Sequence, residues 1–239
     1  MLYTLSRFSP LHRMLRKLAY TVLWRLPGPF KEWALHAILG RRLPYRVVEA
    51  GDTVIQIGAP WDILKSGRSR FIHFLRRVGP TGRVVVIEPD PTNVHHLREY
   101  VAQRGIRNLT IVPKGAWSHP TRLRFLVDPS NPAANLVEDV LDSTRTDLGR
   151  FQSSEIEVDT VDRIASDLGL HPVRMVSITS NGSENRILEG MREVQRSAEF
   201  IATIGEYRRF PLLAEYGYVP FGGDDRGYTF RKQSFAGGG

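Results

Sequence analysis

The chain of 239 residues is 41% hydrophobic and 24% charged, a composition that allows one substantial buried core and excludes the disordered and fibrous classes. It contains no cysteine, which excludes disulfides, thiolate nucleophiles and cysteine-ligated zinc or iron–sulfur sites. The formal charge of +8 is concentrated in residues 1–50, where nine Lys or Arg stand against two acids (9 − 2 = +7), so the chain is not basic throughout.

The basic end of the chain contains a predicted amphipathic helix from Pro10 to Leu26. Its apolar residues recur at helical spacing, at Leu11, Met14, Leu15, Leu18, Val22 and Leu26. This stripe either packs on the following domain, which we expect first, or makes peripheral contact with the inner membrane surface through residues 10–26. The surplus charge fits an anionic partner or solvated charge on a packing helix. The segment is too short to span a bilayer and lacks a signal-cleavage pattern, so a cytoplasmic location is expected.

A second helix from Phe30 to Leu39 is predicted to end at Gly40, and the pattern changes after Gly51. Short apolar runs then alternate with helical stretches in the order β-α-β-α-β. These elements are Thr53–Ile57, Arg70–Val78, Arg83–Ile87, Thr92–Arg104 and Leu109–Val112. Asp90 is placed to cap the last of these helices, and Pro91 to occupy its first position. Apolar strands separated by helices of this length predict a doubly wound parallel sheet.

The later elements continue the same series. Strands are predicted at Leu123–Val127, Glu155–Val158, Met175–Thr179, Phe200–Ile204, Tyr218–Phe221 and Tyr228–Arg231, and helices at Val161–Leu168, Ser183–Glu193 and Pro211–Tyr216. The last pair of strands gives an antiparallel edge, and residues 128–152 form a long excursion over the active face. The sequence therefore predicts a Rossmann-like α/β domain over residues 51–233. A basic helical extension precedes it over residues 1–50, and a flexible tail follows over residues 234–239.

Small residues at the end of the first strand indicate a nucleotide site. Gln56-Ile-Gly58-Ala59 stands where a Rossmann-like fold has its glycine-rich turn, because only small residues let the backbone approach a ligand. The second strand ends in Glu88-Pro89-Asp90, and an acid at its tip can accept hydrogen bonds from ribose hydroxyls. Glu88 follows Gly67 by 88 − 67 = 21 positions, near the usual spacing of about 20.

Six blocks of the sequence stand in a recognisable order. They are GDTVIQIGA, VGPTGRVVVIEPDPTNVHHL, NLTIVPKGAWS, VDTVDRI, MVSITSNGSENRILEGM and EYGYVPF. In these blocks, over residues 51–231, the chain resembles the FkbM family of methyltransferases. The resemblance implies a seven-strand class I methyltransferase sheet, S-adenosylmethionine as donor, and O-methylation of hydroxyls on sugars or other small molecules. The donor contacts that it implies are Gln56, Gly58, Ala59, Gly67, Glu88, Pro89, Asp90, Gly115, Ala116 and Trp117. Trp117 either stacks on adenine or is a half-buried aromatic under the excursion.

Several positions differ in chemistry from the family pattern. The family usually has Asp where this chain has Gln56. A later block usually reads Lys-x-Asp-x-Glu-Gly-x-Glu, and the matching positions here hold Ser177, Thr179, Asn181, Gly182 and Glu184. Methyl transfer needs alignment of donor and acceptor, and a hydroxyl acceptor also needs a base. The candidate catalytic residues are therefore Glu184, Asn181 and Thr179. Further candidates for the base are Asp159, Asp162, Glu206 and His119.

Two functions are consistent with these features. The first is an S-adenosylmethionine-dependent methyltransferase acting on a sugar, lipid-linked or other small hydroxylated acceptor. The alternative is a catalytically inactive protein of the same fold that binds or scaffolds a partner through its basic N-terminal helices. No cluster has metal-ligand spacing, so no metal is predicted, and the basic segment lacks the interleaved aromatics of a nucleic-acid platform. The adjacent His95 and His96 are expected to face solvent.

Overall fold

A computed structural model of the chain describes residues 28–65, 69–141, 148–204, 209–223 and 227–235. Three sequence predictions lie outside these ranges: the basic helix from Pro10 to Leu26, the donor contact by Gly67, and Glu206 as a base. The predicted tail over residues 234–239 is described only as far as residue 235, where a 3-10 helix spans Gln233–Phe235. In the described part of the chain, no helix has the length and apolar character needed to cross a bilayer.

The first half of the chain folds as the sequence predicts, with one additional helix. The elements are α1 (Gly28–Leu39), β1 (Thr53–Ile57), α2 (Trp61–Lys65), α3 (Arg70–Val78), β2 (Arg83–Ile87), α4 (Pro91–Arg104) and β3 (Leu109–Val112). The cap of α4 is confirmed, because Asp90 Oδ1 accepts from the Thr92 amide at 2.8 Å and Pro91 begins the helix. Helix α2 was not predicted, since five residues are too few to show a helical period.

The second half contains more strands than the first. Its elements are β4 (Gly115–Ala116), β5 (Thr121–Val127), β6 (Leu136–Val137), β7 (Gln152–Asp159), α5 (Val161–Asp167), β8 (Met175–Ile178), α6 (Glu184–Glu189), α7 (Arg192–Ser197), β9 (Phe200–Thr203), α8 (Pro211–Glu215), β10 (Tyr218–Gly223) and β11 (Tyr228–Lys232). The excursion after β5 contains 3-10 helices at Pro132–Ala134, Glu138–Val140 and Leu148–Arg150 in addition to β6. Its described part therefore contains more regular structure than the sequence predicts.

The prediction of one helix over Ser183–Glu193 is wrong, because α6 and α7 are separate. A Cβ at Gly190 would overlap the carbonyl group of Trp117, so the chain at Gly190 lies directly against the start of the second sheet. Asp162, which lies in α5, caps the amino end of α7. Its carboxylate oxygens accept from the amides of Glu193 at 3.0 Å and Val194 at 2.9 Å. These contacts satisfy free amides of α7 from a neighbouring helix.

The main sheet has seven strands in the order β10-β11-β9-β8-β1-β2-β3. Strand β1 pairs in parallel with β2 on one side and β8 on the other, and β11 is antiparallel to both β9 and β10. This is the strand order of the Rossmann-like class I methyltransferase fold, so the predicted fold class is confirmed. The core fills both faces of this sheet, as a parallel sheet requires. One face contains Ile55, Ile57, Val85, Ile87 and Ile178, and the other Val54, Val84, Val86 and Met175.

A second sheet of four strands, in the order β4-β7-β5-β6, was not distinguished by the sequence. Strands β5 and β7 are antiparallel over seven residue pairs, from Thr121 opposite Val158 to Val127 opposite Gln152. They enclose a small apolar cluster of their own, made of Trp117, Leu123, Phe125, Val137, Ile156 and Val158. Two strands of the predicted series therefore lie outside the main sheet and form a wall next to it.

Candidate functional site

A cleft lies between the carboxyl ends of the central strands and the second sheet. The strand order reverses at β1, because the chain continues to β2 on one side and enters β8 on the other, and such switch points are where open α/β sheets bind ligands. The main sheet lines the cleft with Ile57, Gly58, Ile87, Glu88, Thr179, Ser180 and Asn181, and the second sheet with Gly115, Ala116, Phe125, Ile156 and Val158. Residues 132–137, here called the roof segment, contribute Pro132, Ala133, Asn135, Leu136 and Val137.

The cleft is mostly apolar and partly closed. It encloses about 80 Å³ and extends into about 630 Å³ of atom-free space, which includes solvent at its mouth. Pockets for ligands of drug size occupy several hundred Å³. A nucleoside-sized ligand would therefore occupy the mouth as well as the enclosed part, directly beneath the roof segment.

Gly58 forms the turn at the end of β1. Its φ of +79° lies in the left-handed region, and a Cβ there would overlap the carbonyl oxygen of Thr179. Glycine is therefore required on both grounds. Gly58 lines the cleft, whereas its neighbours Gln56 and Ala59 are buried just behind it.

Gln56 joins the tips of β1 and β8. Its Nε2 donates to the carbonyls of Ile57 at 3.0 Å and Gly58 at 2.9 Å and to Thr179 Oγ1 at 2.9 Å. Its Oε1 is buried and has no hydrogen-bond partner among the described residues. Gln56 is thus an amide that cross-links two strands and keeps one buried acceptor free.

Glu88 is the buried acid at the tip of β2 and lines the cleft. Its Oε2 accepts from the Ala59 amide at 2.6 Å, and its Oε1 accepts from the Asp90 amide at 3.0 Å and from Asn93 Nδ2 at 3.1 Å. Burial raises the pKa of this carboxyl above its ordinary value, and the three donors oppose that rise by favouring the ionised form. A carboxylate can accept about four hydrogen bonds, so about one remains for a ligand hydroxyl.

Asn93 and Asn135 are two site residues that the sequence did not reveal. Asn93 donates to Glu88 and also accepts from the Trp61 amide at 3.0 Å, which holds the start of α2 beside the cleft. Asn135 Oδ1 accepts from the Asp128 amide at 2.8 Å, and its Nδ2 donates to Asp90 Oδ2 at 2.7 Å. Asparagine in a first helical turn or a loop is ordinary, so neither residue carried a signal.

Asn181 holds the roof segment from the opposite side. Its Nδ2 donates to the carbonyls of Ala133 and Asn135, both at 2.8 Å. Asn135 in turn donates to Asp90, which also caps α4. The roof segment is therefore held by Asp90 on one side and by Asn181 on the other. An acid at position 181 has no proton to give to two carbonyls, so this arrangement depends on the amide.

Thr179 and Glu184 are also accounted for by structural contacts. The Thr179 hydroxyl lies 2.9 Å from the carbonyl oxygens of Ile57 and Gly58 and accepts from Gln56. Glu184 is buried at the start of α6, and burial raises the pKa of its carboxyl above the ordinary value of 4.5. Its neighbours Ser183 and Ile187 line the cleft, but Glu184 itself does not. Its catalytic role stays a prediction.

The remaining predicted donor contacts divide into two groups. Pro89, Gly115 and Ala116 line the cleft, as a donor site would require. Trp117 does not line it: this side chain is 4% exposed in the small core of the second sheet, and its amide donates to the Asp159 carbonyl at 2.9 Å. The structure therefore does not support stacking of Trp117 on adenine, because the indole, directly after β4, lies in the core of the second sheet.

Other ionisable candidates lie away from the cleft. Asp159 accepts from the Thr160 amide and pairs with Lys114 at 3.2 Å, and Asp162 caps α7. His119 is exposed, as are the predicted solvent-facing His95 and His96. Among the described ranges, no group of three or more His, Asp or Glu side chains could hold a metal ion.

Known proteins resemble this chain only distantly. No family model matches it, and no curated protein matches it significantly. A crystal structure of methyltransferase FkbM from Methylobacillus flagellatus aligns at 16% identity over 92% of this chain and 60% of that one, with a TM-score of 0.46. Fibrillarin of Aeropyrum pernix with natively bound S-adenosyl-L-methionine aligns at 14% identity over 83% and 72%, also at 0.46.

A protein-L-isoaspartate O-methyltransferase aligns at 24% identity over 33% of this chain, with a TM-score of 0.25. This chain spans 22% of that protein and 60% of the FkbM structure, less than two thirds of either. The strand order, rather than these distant similarities, defines the fold.

Proposed function

We propose that this protein is an S-adenosylmethionine-dependent methyltransferase and that the cleft is its donor site. One observation carries the proposal: at the switch point of the sheet, an obligatory glycine and a buried, oriented carboxylate stand side by side on the wall of an apolar cleft. Gly58 has no side chain and so lets the backbone approach the ligand, and the Ala59 amide holds the Glu88 carboxylate beside it. This pairing suits the ribose of an adenosyl group.

The residues present fit such a donor. Ile87, Ala116 and Val158 offer an apolar surface for the base, and the free acceptor position of Glu88 suits a ribose hydroxyl. Gln56 is buried behind Gly58 and does not line the cleft, so its contact with the donor stays a prediction. When bound, S-adenosylmethionine would supply an electrophilic sulfonium methyl group for an acceptor oxygen, with S-adenosylhomocysteine as the leaving group.

The protein's own part in that reaction is alignment and proton transfer. Thr179 and Asn181 fix the strand tips and the roof segment, so we assign them to positioning. Glu184 is the candidate base, because burial raises the pKa of its carboxyl and its neighbours Ser183 and Ile187 line the cleft. The acceptor is a sugar, lipid-linked or other small hydroxylated molecule entering beside residues 128–152. We further propose that the reaction takes place in the cytoplasm; peripheral contact of residues 10–26 with the inner membrane surface stays a prediction.

Titration calorimetry of the full chain with S-adenosylmethionine and S-adenosylhomocysteine tests the donor site. Glu88→Ala should weaken binding at least about tenfold, because a charge-assisted hydrogen bond and the order of Ala59 are both lost. Glu99→Ala, at an exposed position of α4, is the matched control and should bind normally. Absence of any affinity for either nucleotide in the folded wild-type chain would refute the proposal.

The inactive alternative makes a different prediction. It allows S-adenosylhomocysteine to bind but gives no methyl transfer to any acceptor in a panel of sugars, lipid-linked sugars and phenols. Transfer of label from S-adenosylmethionine to one acceptor, reduced in Glu184→Gln, would exclude it. Wild-type binding without transfer across the panel would favour it.

A further inference from the structure

Helix α1 has two different faces. On the inner face, Glu32 and Leu35 are buried against the domain. On the outer face, Phe30 is 66% exposed, Trp33 64% and Ile38 48%. These three outer side chains are here called the aromatic face. Large apolar side chains grouped on one exposed surface indicate an interaction site rather than a random surface.

The inner contacts fix the direction in which the aromatic face points. Glu32 accepts from the Tyr100 hydroxyl at 3.1 Å and from Arg104 at 2.9 Å, and the His36 ring stacks on His73 at 5.6 Å. Rotating α1 to bury Trp33 would expose Glu32 and break both of its hydrogen bonds. The aromatic face is therefore held outward by the packing of the opposite side.

Exposed arginines follow the aromatic face in the chain, and Arg41 and Arg42 are here called its arginine border. Arg41, Arg42 and Arg46 follow α1 on the surface, and Arg76 is exposed on α3. Burial lowers the pKa of His36, and the positive charges of Arg76 and Arg77 lower it further, which places both guanidinium groups near α1. Arg77 is half-buried and donates to the carbonyls of Val48 and Arg46, and the Arg46 guanidinium lies over the Phe221 ring. Within the described ranges, Arg41, Arg42 and Arg76 are exposed and form no ion pair with a carboxylate. The only acid on α1, Glu32, is already engaged internally.

The chain before α1 adds charge of the same sign. Residues 1–27 contain five Lys or Arg and no Asp or Glu, and they join directly to α1. An apolar partner alone would gain nothing from this surplus. A surface that combines aromatic side chains with a one-signed basic border matches an interface of acyl chains and anionic head groups.

The aromatic face and the cleft lie at opposite ends of the strands. Glu32 contacts Tyr100 and Arg104, which belong to the last turn of α4, and a crossover helix runs back antiparallel to its strands. That turn therefore lies near the amino ends of the strands, whereas the cleft lies at their carboxyl ends. Contact through α1 would leave the cleft open to water.

We propose that the aromatic face and its arginine border dock the protein on an anionic phospholipid surface. Phe30 and Trp33 enter the head-group region, and the arginines pair with phosphates from above. This docking is independent of the proposed donor site, so either proposal can fail without the other.

The test is flotation of the full chain with vesicles of phosphatidylcholine alone and of phosphatidylcholine mixed with an equal amount of phosphatidylglycerol. Binding is expected only to the anionic vesicles. The Arg41→Gln/Arg42→Gln variant should reduce partitioning roughly 30-fold, at about 1 kcal/mol per basic side chain. Phe30→Ser/Trp33→Ser should reduce it at least about tenfold. The matched control Arg122→Gln/Arg124→Gln, on the second sheet, should bind as the wild type does.

Circular dichroism and thermal melting establish that each variant is folded, and S-adenosylhomocysteine affinity should be unchanged in all of them. Four outcomes overturn the proposal: no binding to anionic vesicles, equal binding to neutral vesicles, binding that both surface variants retain, or a dimer that Phe30→Ser/Trp33→Ser dissociates. Tight binding to RNA with no binding to vesicles would also overturn it, and would assign the basic surface to nucleic acid instead.

Discussion

Asn181 illustrates how one change of side-chain chemistry alters the site. At this position the family pattern has an acid, which accepts hydrogen bonds, whereas the amide donates to two backbone carbonyls of the roof segment. Gln56 shows the same substitution of amide for acid at the tip of β1. In both places the amide holds two parts of the backbone together, which a carboxylate could not do by donation.

We expect Asn181→Asp to release the roof segment. The carboxylate would face the carbonyl oxygens of Ala133 and Asn135 with no proton to donate, at a cost of about 1 kcal/mol because residue 181 is exposed. Hydrogen exchange over residues 128–137 should accelerate, and the free energy of unfolding in urea should fall. Asn185→Asp, an exposed change of the same charge four residues later, is the control. Equal exchange in the two variants would contradict the assignment.

Glu184 should make stability depend on pH in a defined direction. Its pKa is raised in the folded protein, so it binds more protons folded than unfolded, and stability falls as pH rises above its ordinary value of 4.5. Glu184→Gln should lose that dependence and should be relatively more stable at pH 7 than at pH 4. Melting temperatures across this range measure it, with Glu215→Gln, an exposed position, as the control. Parallel profiles for wild type and Glu184→Gln would show that the carboxyl is not the cause.

Among the helices, the division between α6 and α7 shows the limit of periodicity. Ile187, Leu188, Met191 and Val194 are all buried, and their spacing is that of one continuous helix. The break occurs because Gly190 touches the backbone of Trp117 and because Asp162 supplies a second N-terminal cap. Both contacted residues, Trp117 and Asp162, lie outside the segment.

Gly190→Ala should be strongly destabilising for the same reason. Its methyl group would overlap the Trp117 carbonyl, so the second sheet or α6 must shift, at about 1–3 kcal/mol. Gly149→Ala is the matched control, since a Cβ there meets nothing within 4 Å. Urea denaturation of both variants measures the difference. A Gly190→Ala protein as stable as Gly149→Ala would show that the close approach is not maintained in solution.

Over the whole molecule, the cleft is a property of two sheets rather than of one. The main sheet supplies Gly58 and Glu88, the second sheet supplies the apolar wall, and the roof segment connects them through Asn135. A ligand in the cleft would therefore contact regions far apart in sequence. Helix α1, near the amino ends of the strands of the main sheet, would not contact the ligand.

S-adenosylhomocysteine at 100 times its dissociation constant should stabilise the protein by about 2.7 kcal/mol. Hydrogen exchange should slow together over residues 57–64, 128–137 and 179–183, and should not change in α1. Mass-spectrometric exchange with and without the nucleotide measures this pattern. Protection confined to residues 57–64 would mean that the second sheet is not part of the donor site.

The sequence by itself determined the main sheet and the position of its site. Burial on both faces of a parallel sheet leaves continuous apolar runs, and Asp90-Pro91 and Gly58 mark boundaries through local backbone geometry. These signals act over a few residues, so strands β1, β2 and β3 and helix α3 could be predicted to the residue. The tips of β1 and β2 then placed Gly58 and Glu88 at one edge.

Only the tertiary structure decided which polar side chains meet at that end of the sheet. The Gln56–Thr179 hydrogen bond joins residues 123 positions apart, and the Asn135–Asp90 bond joins residues 45 apart. The burial of Trp117 in the core of the second sheet also depends on residues far apart in sequence. The same holds for the pairing of β5 with β7 in that sheet. A pattern of periodicity contains no information about which distant polar groups meet, because those pairs form only when packing brings their strands together.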